Sequence, residues 1–310
     1  MKIFYAADLH AGETAFRKFT NAGKFYNADI VINGGDFTGK MVVPIVENNG
    51  VFTCRYYGST VKIKKASELP DLKKNLRDAG FYPYVISEEI LNRLNVDDVE
   101  RIIKEKQIEV LRQWIDLADK RFKKVNIPCI IIPGSMDAFY LDDLFNSGSY
   151  VQNGDGRIIE FNGYEILSIG GGKPSVFKHP REFSEEELAD KINELVKKVK
   201  DMNKCIFNIH VPPYDTDLDQ GVLYDEELKP VLDGDSLATA PSGSKAVREA
   251  IEKYQPLLSL HGNVHESRGV TQIGRTICIN AGTDYDQGML RGALIDVDSE
   301  GKISYTLTAG

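Results

Sequence analysis

The sequence has few histidines and cysteines, no long apolar run and no excess of positive charge. Its 310 residues include five histidines and four cysteines, and the net charge at pH 7 is −8. No run approaches the roughly 18 apolar residues that a membrane-spanning helix requires. The N-terminal stretch MKIFYAADLH also lacks the pattern of a signal peptide. We therefore expect a cytoplasmic protein with no membrane partner.

The cysteines and the charge exclude further classes of protein. Cys54, Cys129, Cys205 and Cys278 lie far apart without a CxxC pair, so neither a zinc ribbon nor a thioredoxin-type site is indicated. Three of them stand in apolar, strand-like runs, which favours buried reduced thiols. The sequence pI of about 5.3 provides no basic face, so no nucleic-acid partner is expected.

Strands and helices alternate along most of the chain. The runs 2–8 and 28–34 are apolar and strand-like, and they flank an amphipathic helix over 13–25. Later segments predict strands over 127–137, 204–213, 275–283, 290–298 and near 303–307, a strand pair over 157–172 turning at Asn162–Gly163, and helices over 185–202 and 244–254. This order is typical of an α/β protein, whose ligands collect at the carboxyl ends of the strands.

Residues 41–126 interrupt that alternation. The segment predicts a hairpin turning at Asn48–Gly50, a helix with Ser67 as N-cap, Pro70 in its first turn and Gly80 past its end, and a long charged helix from about 97 to 124. We interpret 41–126 as an insertion or cap within a single domain that spans 1–310. The charge run of its long helix is best explained as a solvated face.

Polar side chains recur where the apolar strands end. They are Asp8, His10, Asp36, Ser135–Asp137, His210 and the loop 261–265. Taken singly, each motif is most often a turn or a cap. Carboxylate oxygen and imidazole nitrogen together suit Zn²⁺, Mn²⁺ or iron. Strands that end at a common sheet edge would bring these side chains together.

In their order along the chain, these motifs resemble a known superfamily. The blocks are DLH at 8–10, GGD at 34–36, PGSMD at 133–137, NIHVPP at 208–213 and HGNVH at 261–265. They resemble, in sequence order, the five signature blocks of the calcineurin-like metallophosphoesterases. The resemblance implies a two-sheet β sandwich flanked by helices, in four layers (α/β/β/α). It also implies hydrolysis of a phosphomonoester or phosphodiester by metal-activated water.

Carried over residue by residue, the resemblance implies a metal site with one or two divalent ions, Mn, Fe or Zn. The first metal would take Asp8, His10, Asp36 and His265. Asp36 would bridge to a second metal, for which His210 is an intact ligand. Catalysis would then depend above all on Asp36 and His210.

The second-metal position departs from the superfamily pattern. Ser135 stands where an asparagine ligand is expected, and Asn263 stands where the first histidine of the last block is expected. Met136 occupies a position that often holds a histidine able to protonate the leaving group. Replacing imidazole by an amide oxygen weakens the binding of a borderline metal and favours harder ions such as Mg²⁺ or Mn²⁺.

Three interpretations therefore remain open. In the first, two metals bind, with Asn263 and Ser135 as oxygen ligands helped by Asp137 or water. In the second, one metal supports slower hydrolysis, since losing a general acid typically costs about 10²–10⁴-fold in rate. In the third, the protein is a metal-binding relative with little or no turnover, acting as a binding or regulatory protein.

Other polar residues have two explanations each. Asp215 and Asp217 either join the site or cap turns, and His261 is either a supporting ligand or a satisfied core histidine. Arg268 and Arg291 either pair with a phosphate or form surface salt bridges.

The same observations indicate which substrate and which binding partners to expect. The acidic balance favours a small phosphorylated substrate over a nucleic acid. The insertion 41–126 is the expected source of pocket shape and of any contact between copies of the chain. The glycine-rich stretch IGGGKPS at 169–175 suggests a rival, nucleotide-binding function, but it lacks the spacing of a P-loop and Pro174 follows at once.

Overall fold

Two six-stranded sheets form the centre of the computed structural model, which describes residues 1–39 and 41–310. The helices are α1 (Glu13–Tyr26), α2 (Leu69–Asp78), α3 (Glu88–Leu91), α4 (Val96–Val125), α5 (Asp142–Phe145), α6 (Glu185–Val196) and α7 (Lys245–Tyr254). The strands are β1 (Lys2–Ala6), β2 (Ile30–Asn33), β3 (Val42–Asn48), β4 (Val51–Tyr56), β5 (Ser59–Ile63), β6 (Tyr82–Ser87), β7 (Cys129–Ile131), β8 (Val151–Asn153), β9 (Arg157–Phe161), β10 (Tyr164–Ile169), β11 (Cys205–Ile209), β12 (Gln220–Val222), β13 (Leu232–Asp233), β14 (Ser236–Leu237), β15 (Thr239–Pro241), β16 (Leu258–His261), β17 (Gly269–Ile273), β18 (Thr276–Asn280), β19 (Arg291–Val297) and β20 (Ile303–Ala309). Short 3-10 helices cover Ala66–Glu68, Phe139–Leu141, Met202–Lys204 and Tyr285–Gln287.

Strand order explains why the loops with polar side chains meet. The first sheet has the order β20-β19-β1-β2-β7-β8, and the second has the order β17-β18-β16-β11-β10-β9. Within the first, β1, β2, β7 and β8 are parallel, and within the second, β10, β11, β16 and β18 are parallel. Since parallel strands end at one edge of their sheet, the loops after β1, β2 and β7 gather at one edge of the first sheet, and those after β11 and β16 gather at one edge of the second.

The layers are held together by three apolar clusters. The inner faces of the two sheets meet through residues such as Ile3, Ile32 and Leu260, all essentially inaccessible to solvent. The outer face of the first sheet packs on α1 and α4, and that of the second on α6 and α7. Strands covered on both faces read as unbroken apolar runs, which is the pattern seen in β1 and β2. The predicted fold, a two-sheet β sandwich flanked by helices in four layers, is confirmed.

Residues 41–126 form a second, smaller sheet and a long helix. The sheet has the order β5-β4-β3-β6 and packs on α2 through its own core, which includes Val43, Phe52 and Leu76. The helix α4 instead buries one face against α1, where Trp114 stacks on Phe16 with ring centroids 4.0 Å apart. Whether 41–126 is an insertion relative to other members of the fold stays a prediction.

Two predicted details are wrong. Ser67 is not an N-cap, because it lies in a 3-10 helix and α2 begins at Leu69 after Glu68. The helix predicted over 185–202 ends at Val196. The carboxylate of Glu165 accepts hydrogen bonds from the backbone N–H groups of residues 200 and 201, which draws the chain back to the sheet. The turns at Asn48–Gly50 and Asn162–Gly163 are confirmed.

The pattern did not predict an arm over 220–241. It contains two short antiparallel pairs, β12 with β15 and β13 with β14. Across the described ranges 1–39 and 41–310, no helix is both long enough and apolar enough to cross a bilayer.

Candidate metal centre

The loops after β1, β2 and β16 take unusual backbone conformations. Asp8, His10, Asp36 and Asn263 have φ of 58°, 41°, 56° and 67°, in the left-handed region that few non-glycine residues adopt. Backbone hydrogen bonds hold the first two loops together: Asp8 N–H donates to the Gly35 carbonyl, and His10 N–H to the Asp36 carbonyl. Such conformations persist where the surroundings over-determine them, and they cluster at functional sites.

One cluster consists of Asp8, His10 and His265, whose potential ligand atoms lie within 4.8 Å of one another. The Nε2 atoms of the two imidazoles are 2.9 Å apart, and each lies 3.8 Å from Asp8 Oδ1. Burial lowers the pKa of His10 to about 3, which keeps its ring neutral. Imidazole nitrogens and a carboxylate that converge in this way suit a divalent cation.

A second cluster consists of Asp8, Asp36 and His210. Nδ1 of His210 donates to the Gly34 carbonyl at 2.6 Å, so Nε2 faces the site. That buried atom lies 3.4 Å from Asp36 Oδ2 but has no hydrogen-bond partner among the described residues. Burial alone would lower the pKa of His210, but the facing Asp36 raises it to about 9. His210 also counteracts the burial of Asp36 and holds its pKa well below the usual range.

The two clusters share Asp8 and together fit a metal. Three imidazoles and two buried carboxylates converge, and they are the donors preferred by Zn²⁺, Mn²⁺ and iron. A proton shared by His210 and Asp36 would satisfy the contact between those two side chains only. A divalent cation can instead accept lone pairs from several of the converging side chains at once. The residues present therefore suit one divalent ion at each cluster.

The weakened positions lie beside the second cluster. Ser135 Oγ is 3.4 Å from Asp36 Oδ2, and the backbone N–H of Met136 donates to Asp36 Oδ1 at 2.7 Å. The backbone N–H of Asn263 donates to both oxygens of Asp8, at 3.1 and 3.0 Å. The side chains of Ser135 and Asn263 both approach Gly172. The structure thus brings every predicted ligand to one place, while their individual roles stay predictions.

Asp137 has a different role from the expected one. Its two oxygens accept hydrogen bonds from the backbone N–H groups of Phe37, Thr38 and Gly134 and from the Thr38 hydroxyl. The expectation that it helps to bind a metal is wrong, because these donors occupy both oxygens. Asp137 instead fixes the loop that carries Asp36. Sequence reasoning also missed Thr283, whose hydroxyl donates to the Asp8 carbonyl at 2.8 Å, and no motif signalled it.

The remaining candidates lie in ordinary structural settings. His261 is buried and contacts Ser259 Oγ and two backbone carbonyls, so it is a satisfied core histidine. Arg291 pairs with Asp284, and Arg268 donates to the Thr308 carbonyl. No hydrogen bond links the side chains of residues 215 and 217 to the clusters within 1–39 and 41–310.

The three glycines of the loop 169–175 have their N–H groups occupied. Gly170 N–H donates to Asp155, Gly171 N–H to the Pro133 carbonyl and Gly172 N–H to the Arg181 carbonyl. A phosphate-binding loop needs free N–H donors. The loop instead packs against the segment that carries Ser135.

Gly134 is a site where one added methyl group is expected to remove the metal. A Cβ there would lie 2.1 Å from Asp36 Oδ1 and 2.3 Å from Asp36 N, so Gly134→Ala must displace that carboxylate. We expect a stability loss of about 1–3 kcal/mol from overpacking, together with loss of metal measured by elemental analysis. Gly156→Ala is the control: its φ of 68° costs about 1–2 kcal/mol, but a Cβ there meets nothing within 4 Å. Equal metal content in the two variants would contradict the predicted role of Asp36.

The chain is similar in sequence to a protein of an archaeon. The uncharacterized protein MJ1162 of Methanocaldococcus jannaschii is 30% identical over 177 residues, which make up 56% of this chain and 70% of that protein. No protein-family profile matches the sequence.

Solved structures share the fold over nearly the whole chain. The crystal structure of TT1561 of Thermus thermophilus aligns over 99% of this chain and 98% of its own, with a TM-score of 0.54 and 14% identity. Another crystal structure aligns over the same shares with a TM-score of 0.57 and 14% identity. At this identity the likeness concerns the fold alone.

Proposed function

This chain belongs to the same family as the uncharacterized protein MJ1162 of Methanocaldococcus jannaschii, and we propose that it is a metal-dependent phosphoesterase of the calcineurin-like superfamily. One observation carries the proposal. The side chains of Asp8, His10, Asp36, His210 and His265 come from loops of two different sheets and converge in two overlapping groups of potential metal ligands. The sequence blocks that supply them match the order of the superfamily's signature blocks.

The chain's own residues would bind and orient the substrate in defined ways. When bound, a divalent cation supplies Lewis-acid polarisation of the phosphate oxygens and lowers the pKa of water. His210 is held in one tautomer by the Gly34 carbonyl, which directs Nε2 towards Asp36. In the net reaction, water oxygen joins phosphorus, the ester P–O bond breaks, and a proton passes to the departing oxygen.

The absence of a proton donor at Met136 shapes the expected substrate. A thioether cannot protonate a leaving group, so esters with good leaving groups should react fastest. A small phosphomonoester or phosphodiester suits the acidic chain better than a nucleic acid does. Asn263 has no side-chain hydrogen bond in the described ranges, which leaves its amide oxygen available as a ligand for a second ion. We therefore propose Mn²⁺, Fe or Zn²⁺ as the cofactor, at one or two ions per chain.

The test is hydrolysis by protein loaded with each metal in turn. We expect turnover of bis(p-nitrophenyl) phosphate or p-nitrophenyl phosphate with Mn²⁺, loss of that turnover in chelator, and recovery on adding the metal back. Elemental analysis of the same preparations gives the number of ions per chain. Tight metal binding without turnover of either ester would refute the enzyme and favour the alternative, a metal-binding relative with a binding or regulatory role.

A further inference from the structure

A hairpin tip from the 41–126 region lies beside the metal centre. The strands β4 and β5 are joined by Tyr57 and Gly58, whose φ values are 46° and 72°. Such two-residue turns favour asparagine or aspartate followed by glycine, because both residues need positive φ. The neighbouring hairpin of the same sheet follows this rule with Asn49 and Gly50. A bulky tyrosine in the left-handed region is therefore an outlier whose side chain calls for another explanation.

Contacts lead from this tyrosine to the candidate ligands. The ring of Tyr57 lies 5.1 Å from that of Phe81. The adjacent Gly80 packs so closely on Tyr285 that a Cβ would lie 2.5 Å from its ring. The ring of Tyr285 in turn lies 4.9 Å from His10 and 6.2 Å from His265. Two tyrosines, one from the small sheet and one from the central fold, thus stand in a row beside the first cluster.

Tyr57 is open to solvent, whereas Tyr285 is partly buried. Tyr57 is 62% exposed, and neither its hydroxyl nor that of Tyr285 has a hydrogen-bond partner within residues 1–39 and 41–310. Other exposed aromatic residues near the centre are already engaged. The Tyr140 hydroxyl bonds Gln107, and the ring of Phe139 is covered by the guanidinium of Arg181 at 4.2 Å.

The charge beside the two rings selects the kind of group that fits. Asp286 follows Tyr285 in the chain, and its carboxylate acts electrostatically on both phenols. That carboxylate disfavours a negative charge on the part of the ligand that lies beside the rings. A phosphate belongs at the metal ligands, and an uncharged group belongs against the rings.

We propose that Tyr57 and Tyr285 determine substrate specificity by receiving the organic group of the phosphoester, and that this group is planar and uncharged. The inference rests on the proposed function in placing the phosphate at the metal centre. Aromatic rings stack on planar groups with a stabilisation of about 1–3 kcal/mol. Because Tyr57 is largely exposed, we expect about 1.4 kcal/mol, in the lower part of that range, which corresponds to about a tenfold change in affinity.

The experiment measures equilibrium binding of two phosphonates, which cannot be hydrolysed, to the full chain with Mn²⁺. We expect phenylphosphonate to bind about tenfold more tightly than ethylphosphonate by calorimetry. Tyr57→Asn should abolish that preference without lowering the melting temperature, since asparagine suits the turn better than tyrosine does. Tyr57→Phe, the matched control, should keep the preference because it keeps the ring.

The possible outcomes separate this inference from the proposed activity. Equal binding of the two phosphonates by the unaltered chain, or a preference that survives Tyr57→Asn, would overturn the inference. The chain could also prefer phenylphosphonate through Tyr57 and yet hydrolyse neither nitrophenyl ester. That result would support the inference and refute only the proposed phosphoesterase activity.

Discussion

Replacing Asp8 by asparagine is expected to remove both the metal and the hydrolytic activity. Asp8 is fully buried and is the one residue common to both groups of potential ligands. Asparagine has nearly the same shape but lacks the negative charge that attracts a cation. Even hydrogen-bond partners of metal ligands are worth about 10–100-fold in metal affinity or activity, so we expect a loss of at least about 100-fold in each. Elemental analysis and turnover of bis(p-nitrophenyl) phosphate measure the two effects.

Asp219→Asn is the matched control for this substitution. Asp219 is also fully buried and accepts backbone N–H donors from Asp215, Thr216 and Gly243, but it belongs to neither group of ligands. The control should lower the melting temperature and leave the number of bound metal ions unchanged. If Asp8→Asn retains its metal, or if Asp219→Asn loses as much, then Asp8 is not a ligand.

The sequence predicts the central fold well because its strands are covered on both faces. Segments such as 2–8 and 28–34 read as unbroken apolar runs, and the helix over 13–25 shows one apolar stripe that the structure buries. The polar residues that follow these runs could be placed together on the assumption of parallel strands, which the pairing of β1 with β2 confirms. The placement of Asp8, His10 and Asp36 was predictable since it depends on strand direction within one sheet, whereas the approach of His210 and His265 also depends on how the two sheets pack.

Other parts depend on contacts that no local pattern encodes. The orientation of Asp137 is set by the path of the Asp36 loop, so its spacing in the motif could not show that it faces backbone donors rather than a metal. The approach of Tyr57 to Tyr285 joins a hairpin tip to a distant loop through Gly80 and Phe81. The pattern predicted the turn at Asn48–Gly50 and the helix end before Gly80 but not this contact, because packing between separate sheets leaves no period in the sequence.

The second-metal position is the reverse case. Here the residue types depart from the expected pattern, while the contacts agree with it. Its sequence departs from the superfamily pattern at Ser135 and Asn263, but the structure still brings both side chains to Gly172, beside the Asp36 and His210 pair. The missing glycine side chain leaves room there for larger ligands. We therefore expect that any weak binding of a second ion here comes from the chemistry of these two side chains and that substitution reverses it.

Restoring those two side chains is expected to strengthen binding of the second metal. In the double variant Ser135→Asn, Asn263→His, a weak hydroxyl ligand becomes an amide oxygen and an amide becomes an imidazole, which a borderline metal prefers. Histidine should accept the φ of 67° at position 263, because it is among the residues enriched in the left-handed region. We expect affinity for the second Zn²⁺ to rise by about 10–100-fold, measured by calorimetric titration.

The control for the double variant removes the ligand that both forms share. Adding His210→Ala should cancel the gain. Nε2 of His210 lies 3.4 Å from Asp36 Oδ2, closer than Nε2 of His10 at 3.8 Å. If Zn²⁺ affinity does not rise in the double variant, the match of Ser135 and Asn263 to the ligand blocks is wrong. A rise that persists without His210 would place the new imidazole at the first cluster instead. A rise that requires His210 would show that this chain retains the geometry of a two-metal site and that its own side chains weaken the second ion.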